Sequence, residues 1–141
     1  MANFTLYTDG GARGNPGPAA AGGVIYNDRG KEIKRFSSFL GTTTNNQAEY
    51  QALILGLGRI KKVIGDEHLA REVSVKAHLD SELIVRQLSG EYRVKNRGLK
   101  PLVAKVEELA ANFRMVKFTY VPREKNCIAD MLVNQELDRH S

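Results

Sequence analysis

Residues 43–63 read TTNNQAEYQALILGLGRIKKV, and here the hydrophobic period changes from two to about 3.6. Ala48, Ala52 and Leu55 recur at helical spacing, as do Leu53, Leu57 and Ile60. Thr44 and Gln47 fit a capping box at the start, and Lys61 and Lys62 suit the negative end of the helix dipole. Everything before this helix reads as strands. NFTLYTD (3–9) alternates, with Asp9 at its end. GGARGNPGPAA (10–20) is dense in turn formers, AGGVIYND (21–28) is a second strand, and RGKEIKRFSSFLG (29–41) supplies a turn and a third. The two short connections predict an antiparallel meander.

After the helix, EVSVKAHLD (72–80) alternates as a fourth strand. SELIVRQLSG (81–90) predicts a short helix ended by Gly90, and Pro101 opens another that runs to about Phe113. MVKFTYV (115–121) is a fifth strand and NCIADMLVNQELD (126–138) a last helix. The order βββαβααβα predicts an α/β fold of mixed α+β character: a five-stranded mixed sheet flanked by helices, parallel where helices join the strands.

The chain has 141 residues, of which 42% are hydrophobic and 26% charged, values that exclude disordered and fibrous classes. The length predicts one domain over 1–141. No apolar run approaches the roughly 20 residues that span a bilayer, and the start MANFTLYTDGG lacks the pattern of a secretory signal. A single cysteine, Cys127, excludes an internal disulfide and a cysteine-based zinc site and reads as a packed small hydrophobe. The expected setting is cytoplasmic, with no membrane partner. The formal net charge is +5, and GEYRVKNRGLK (90–100) carries +3 of it. Such an excess suits a polyanion, although a solvated basic loop is the plainer reading of charge alone.

Four acids are placed by this pattern where their side chains can converge. Asp9 and Asp80 end strands, Glu49 lies about one turn into the first long helix, and Asp130 is near the start of the last. In open α/β sheets ligands gather outside the carboxyl ends of parallel strands. Any one of these acids is ordinarily a cap, but four beside distinctive segments form a pattern. Converging carboxylates repel and require a compensating cation. All-oxygen donors without nearby His or Cys favour magnesium, with manganese as the alternative, over zinc. Two such ions are a known device for in-line attack on a phosphodiester: one activates the water, the other stabilises the leaving 3′ oxygen.

YTDGGARGNPGPAAAGG (7–23), TTNNQAEYQALILGL (43–57), LDSELIVRQL (79–88) and VPREKNCIAD (121–130) together resemble the four acidic motifs of type 1 ribonuclease H, in that family's order and spacing and over nearly the whole chain. The resemblance implies the ribonuclease H-like fold. It implies an endoribonuclease that hydrolyses the RNA strand of RNA–DNA hybrids with two divalent metals, leaving 5′-phosphate and 3′-hydroxyl ends. By motif, Asp9, Glu49, Asp80 and Asp130 resemble the metal-binding catalytic carboxylates, with Asp9 shared between the ions. Gly10, Gly11, Asn15, Asn45 and Asn46 take the RNA-contacting positions, and Thr44 and Asn96 those of a pocket for a DNA phosphate.

The chain also departs from the family pattern. Some relatives carry an arginine two residues before that threonine, where this chain has Thr42, and Arg97 is a candidate substitute. SGEYRVKN runs directly into GLKPL, so the basic protrusion of some relatives is missing and lower hybrid affinity is expected, the basic loop being a partial replacement. The loop VPREKN lacks the mobile histidine of many relatives. Arg123 and Glu124 stand there as auxiliary candidates beside a plain reading as loop residues, and Asn126 as a helix cap near the site. His68 reads as a loop residue, His78 as an outward strand residue and His140 as terminal. A monomeric enzyme acting on hybrids is the expectation. The alternatives are a non-catalytic hybrid-binding domain, disfavoured by the complete acid set, and a broader nuclease that also cuts double-stranded RNA.

Overall fold

A computed structural model describes residues 3–141, so Met1 and Ala2 of the domain expected over 1–141 lie outside the described residues. The strands are β1 (Asn3–Ala12), β2 (Gly17–Tyr26), β3 (Glu32–Thr43), β4 (Ser74–Leu79) and β5 (Met115–Tyr120). The helices are α1 (Asn45–Ile64), α2 (Glu67–Ala70), α3 (Glu82–Leu88), α4 (Lys100–Ala110) and α5 (Cys127–Arg139). The sheet order is β3-β2-β1-β4-β5, antiparallel between β3, β2 and β1 and parallel between β1, β4 and β5. This is the mixed five-stranded sheet that the sequence predicts.

The α1 helix starts where expected. Thr44 and Gln47 form the reciprocal capping box, and Gly65 closes the far end in the left-handed region at φ 74°. Its apolar stripe, Ala48, Ala52, Leu53, Leu57 and Ile60, is fully buried. The main core lies between this stripe and Leu6, Ile25, Val75, Ala77 and Leu79 of the sheet, with Ile84 and Val106 from α3 and α4. On the opposite face α5 packs on β1, β2 and β3, where Val133 and Leu137 meet Ala20. Among the described residues no helix is long and apolar enough to cross a membrane.

Two differences from the sequence reading matter. Asp9 does not end β1: the strand continues through Ala12, and β2 begins at Gly17, so the turn is confined to residues 13–16, with a cis peptide between Asn15 and Pro16. Small residues make this continuation fit. A Cβ on Gly10 would stand 2.2 Å from the backbone of Ala48, and one on Gly22 would stand 3.0 Å from Leu132. Gly10 and Gly22 thus let α1 and α5 press on opposite faces of the sheet. The second difference is α2, one short turn capped by the Asp66 side chain, which places His68 in a helix rather than a loop. His78 is half-buried rather than turned fully outward, and it stacks on Tyr7 with ring centroids 4.7 Å apart.

Candidate active site

Asp9 sits on β1, the middle strand, opposite Gly22 of β2. Because β4 pairs with β1 in parallel, the residue just past its end, Asp80, comes to the same edge. Glu49 descends from α1. Carboxylate oxygens of Asp9, Glu49 and Asp80 lie within 4.8 Å of one another, although the three residues come from distant parts of the chain. Asp130, in the first turn of α5, lies outside that tight group, but its charge acts on both Asp9 and Asp80. The structure therefore brings three of the predicted acids into direct proximity, with the fourth near enough for its charge to act on two of them.

The environment is unfavourable to negative charge. Asp9 is 9% exposed and Glu49 6%. Desolvation pushes the Asp9 carboxyl up to about 6, with the charges of Asp80 and Asp130 adding to it and hydrogen bonds to Glu49 and Gly10 opposing it. Burial and the neighbouring Asp9 raise Glu49 well above the ordinary carboxylate range. Asp80 is raised as well, chiefly by burial, with the Asn126 side chain and the Arg123 charge pulling the other way. Arg123 is thus the cation nearest to a balancing role here.

Glu49 shows how the site is prepared for a cation. Its Oε1 accepts the Gly10 N–H at 2.8 Å, which fixes the side chain, while Oε2 is buried and, among the described residues, meets no amide or hydroxyl donor. A buried carboxylate oxygen without a donor is costly unless something else satisfies it. The donors are all carboxylates, so a hard divalent cation fits the arrangement. The acidic cluster is able to bind metal.

Asn126 behaves differently from the expected cap. Its side chain makes no capping bond to α5. Instead Nδ2 donates to the Thr8 carbonyl at 2.8 Å, and the residue is 1% exposed. The backbone carbonyl of Asn126 accepts the Asp130 N–H at 3.1 Å. Asn126 therefore ties the start of α5, and with it Asp130, to the strand that carries Asp9. Cys127 is exposed rather than packed, with Sγ donating to the Glu124 carbonyl at 2.9 Å.

The residues predicted to meet nucleic acid fall into two groups. Around the turn before β2, the Asn15 Oδ1 accepts the Asn45 N–H at 3.0 Å, and the Asn45 Oδ1 accepts the Ala12 N–H at 2.8 Å. Both oxygens are engaged, so each side chain offers its N–H₂ group outward. Gly10 is required by the close approach of α1, whereas a Cβ on Gly11 would meet only ordinary contacts at 3.9 Å. The second group lines a cleft of about 420 Å³ formed by Asn15, Thr44, Asn46, Gln47, Asn96 and Leu99. Thr44 and Asn96, 52 positions apart in sequence, thus share one cavity. Gln47 belongs to it too, and the sequence signal for it, the third position of the capping box, reads as structural only. Thr42 is exposed on β3, and Arg93, Lys95, Arg97 and Lys100 form an exposed basic stretch beside the cleft's Asn96.

A family model described as "Reverse transcriptase-like" matches residues 7–136. "Bifunctional protein Rv2228c" of Mycobacterium tuberculosis is 40% identical over 134 residues, which are 94% of this chain and 35% of that protein. "Ribonuclease HI" of Halobacterium salinarum is 36% identical over 132 residues, 94% of this chain and 63% of that protein. The chain thus spans about a third of the mycobacterial relative and under two thirds of the archaeal one. Among solved structures, LC11-RNase H1 in complex with RNA/DNA hybrid superposes with a TM-score of 0.88 at 45% identity, covering 97% of this chain and 98% of that one. With sheet order, acidic cluster and full-length likeness in agreement, the chain belongs to the type 1 ribonuclease H family.

Proposed function

We propose that this chain is a single ribonuclease H domain, acting as a monomer, which hydrolyses the RNA strand of RNA–DNA hybrids and leaves 5′-phosphate and 3′-hydroxyl ends. The observation that carries the proposal is the group formed by Asp9, Glu49 and Asp80, with a buried Glu49 Oε2 that meets no amide or hydroxyl donor among the described residues. Asp9, Glu49, Asp80 and Asp130 would hold magnesium, or manganese in its place. Bound divalent ions would supply the Lewis acidity that activates water and stabilises charge on the departing 3′ oxygen.

The protein's part is positional. The Gly10 amide fixes Glu49 so that its second oxygen faces the site. Asn126 holds the start of α5 against β1 and moderates Asp80, and Arg123 lends positive charge beside the same carboxylate. The outward N–H₂ groups of Asn15 and Asn45, with Asn46 and the backbone at Gly10 and Gly11, suit the 2′-hydroxyls that distinguish RNA from DNA. Thr44 and Asn96 in their shared cleft suit a phosphate of the DNA strand. Relatedness to a protein solved with an RNA/DNA hybrid supports this substrate class.

Side-by-side digestion of hybrid, duplex RNA, duplex DNA and single-stranded RNA, with magnesium or manganese, tests the proposal. Cleavage of the hybrid's RNA strand, with duplex DNA and single-stranded RNA left whole, is expected. A hybrid that binds but stays uncut with either ion would instead establish a non-catalytic binding domain.

A further inference from the structure

Gln47 lies on the first turn of α1, two residues before Glu49, and its amide is oriented by its neighbours. Oε1 accepts the Thr44 backbone N–H at 3.2 Å and the Thr44 hydroxyl at 3.1 Å, and the Thr43 hydroxyl also donates to it. A backbone N–H can only donate, so the atom it meets must be the oxygen. Nε2 and its two protons therefore point away from the cap, towards the loop that carries Asn96. There a Cβ on Gly98 would stand 2.8 Å from Nε2, so the absence of a side chain makes room for the amide. Across the cleft the arrangement repeats: the Asn96 Oδ1 accepts the Gly98 N–H at 2.7 Å, which turns the Asn96 amide nitrogen away from its own loop. Both amides have spent their acceptor oxygens on backbone donors and retain their N–H₂ groups. Among the described residues no carboxylate lines the cleft.

We infer that Gln47 is a phosphate-binding residue, with its N–H₂ directed, beside that of Asn96, at one phosphate of the DNA strand, and that Gly98 is the residue that admits it. It supplies a donor pair to a cleft whose lining, among the described residues, holds no charged side chain. Two neutral donors are weaker than a guanidinium fork but need no counter-charge. The inference rests on the proposed action on hybrids.

A capping role alone does not require the amide, because glutamate serves the third position of a capping box as well as glutamine does. Gln47→Glu preserves the acceptor and the shape, removes the N–H₂ and adds a negative charge, so the uncharged Gln47→Met, which also lacks the donor, must give the same positional pattern for the contact, rather than repulsion, to be the cause. The expected result is an unchanged melting temperature, a KM for hybrid raised roughly tenfold, and kcat within about twofold, because the contact is uniform to ground and transition states. Hybrids carrying a single neutral methylphosphonate, walked along the DNA strand, then locate the contact. At one position the variant and the parent should differ by less than about twofold, while elsewhere the tenfold gap persists.

An unchanged KM, or a gap that survives neutralisation at every position, overturns the assignment while leaving the nuclease reading intact. A parent chain that leaves the hybrid whole overturns both. Should Gln47→Glu fail to fold, Gly98→Ala carries the test from the exposed loop, since the added methyl would stand 2.8 Å from the Gln47 Nε2 and 3.1 Å from the Asn96 Oδ1 and so disturbs the donor pair. A raised KM with the same positional pattern supports the inference, and a parental KM overturns it.

Discussion

About half a turn of α1 separates two regions of opposite character. The carboxylate pit around Glu49 is buried, crowded with acceptors and short of donors, so that Oε2 is left without an amide or hydroxyl donor among the described residues. The cleft around Gln47 is lined by neutral side chains, and the amide oxygens of Gln47 and Asn96 are already engaged. The first favours cations and the second favours hydrogen-bond acceptors such as phosphate oxygens. A nucleic-acid strand with bound divalent ions presents both, so a single helix start can meet metal and phosphate at a fixed spacing. The lesson is that the surplus of unsatisfied groups, rather than formal charge, marks what each region will take.

The largest expected effect comes from removing the pit's charge. Asp9→Asn should lower the cleavage rate by at least about 10³-fold in magnesium, comparable to the loss of other directly acting catalytic groups. The same variant should raise the stability of the metal-free protein at pH 7 by about 1–3 kcal/mol, seen as a higher urea midpoint, because a desolvated and repelled charge disappears. A variant that cuts at the parental rate would remove Asp9 from the site. The steric wall beside the pit gives the next effect. Gly10→Ala places a methyl group against the Ala48 backbone, where neither element can yield, and should cost about 3 kcal/mol or more by urea unfolding.

The pH dependence sharpens the contrast, because only the pit titrates. Asp9 is raised from 3.8 to about 6 in the folded chain. Below pH 3.8 it is protonated in both states and contributes nothing. Between about 4 and 6 the unfolded chain ionises first, so metal-free stability should fall as pH rises, by up to about 3 kcal/mol from Asp9 alone, with the raised Asp80 adding to the fall and Glu49 extending it above 6. Magnesium should flatten this slope. Urea midpoints across that window, with and without the ion, provide the check, and a stability that instead rises through it would contradict the desolvated-acid account. The smallest effect belongs to the cleft. Thr44→Ala removes the side-chain cap that accepts the Gln47 N–H and should cost about 1 kcal/mol, with a raised KM for hybrid and little change in kcat.

Much of this organisation is legible in the residues. The alternation of β1, β4 and β5, the capped amphipathic run of α1 and the change of period between them fix the order of elements, and the placement of acids at strand ends and helix starts points to the edge where Asp9, Glu49 and Asp80 meet. Tertiary context decided the rest. Residues 10–12 and 17–20 carry turn formers, yet they are strand, because glycine and alanine are what two helices pressing on a sheet require. The short α2 helix has no period to detect and depends on the Asp66 cap. Asn126 looks like a cap from its place before a helix, and only the fold reveals that its amide reaches back 118 residues to Thr8. Cys127 is apolar by type but lies on the outward side of α5.

The placement of Asp9 on the innermost strand has a consequence for how the molecule fails under heat. Fraying begins at the sheet's rims, β3 and β5, where one side of each strand is unpaired, while β1 is flanked on both sides and clasped between α1 and α5. The rims can loosen without altering the distance between Asp9 and Glu49. Loss of chemistry should therefore coincide with the collapse of the whole sheet rather than precede it.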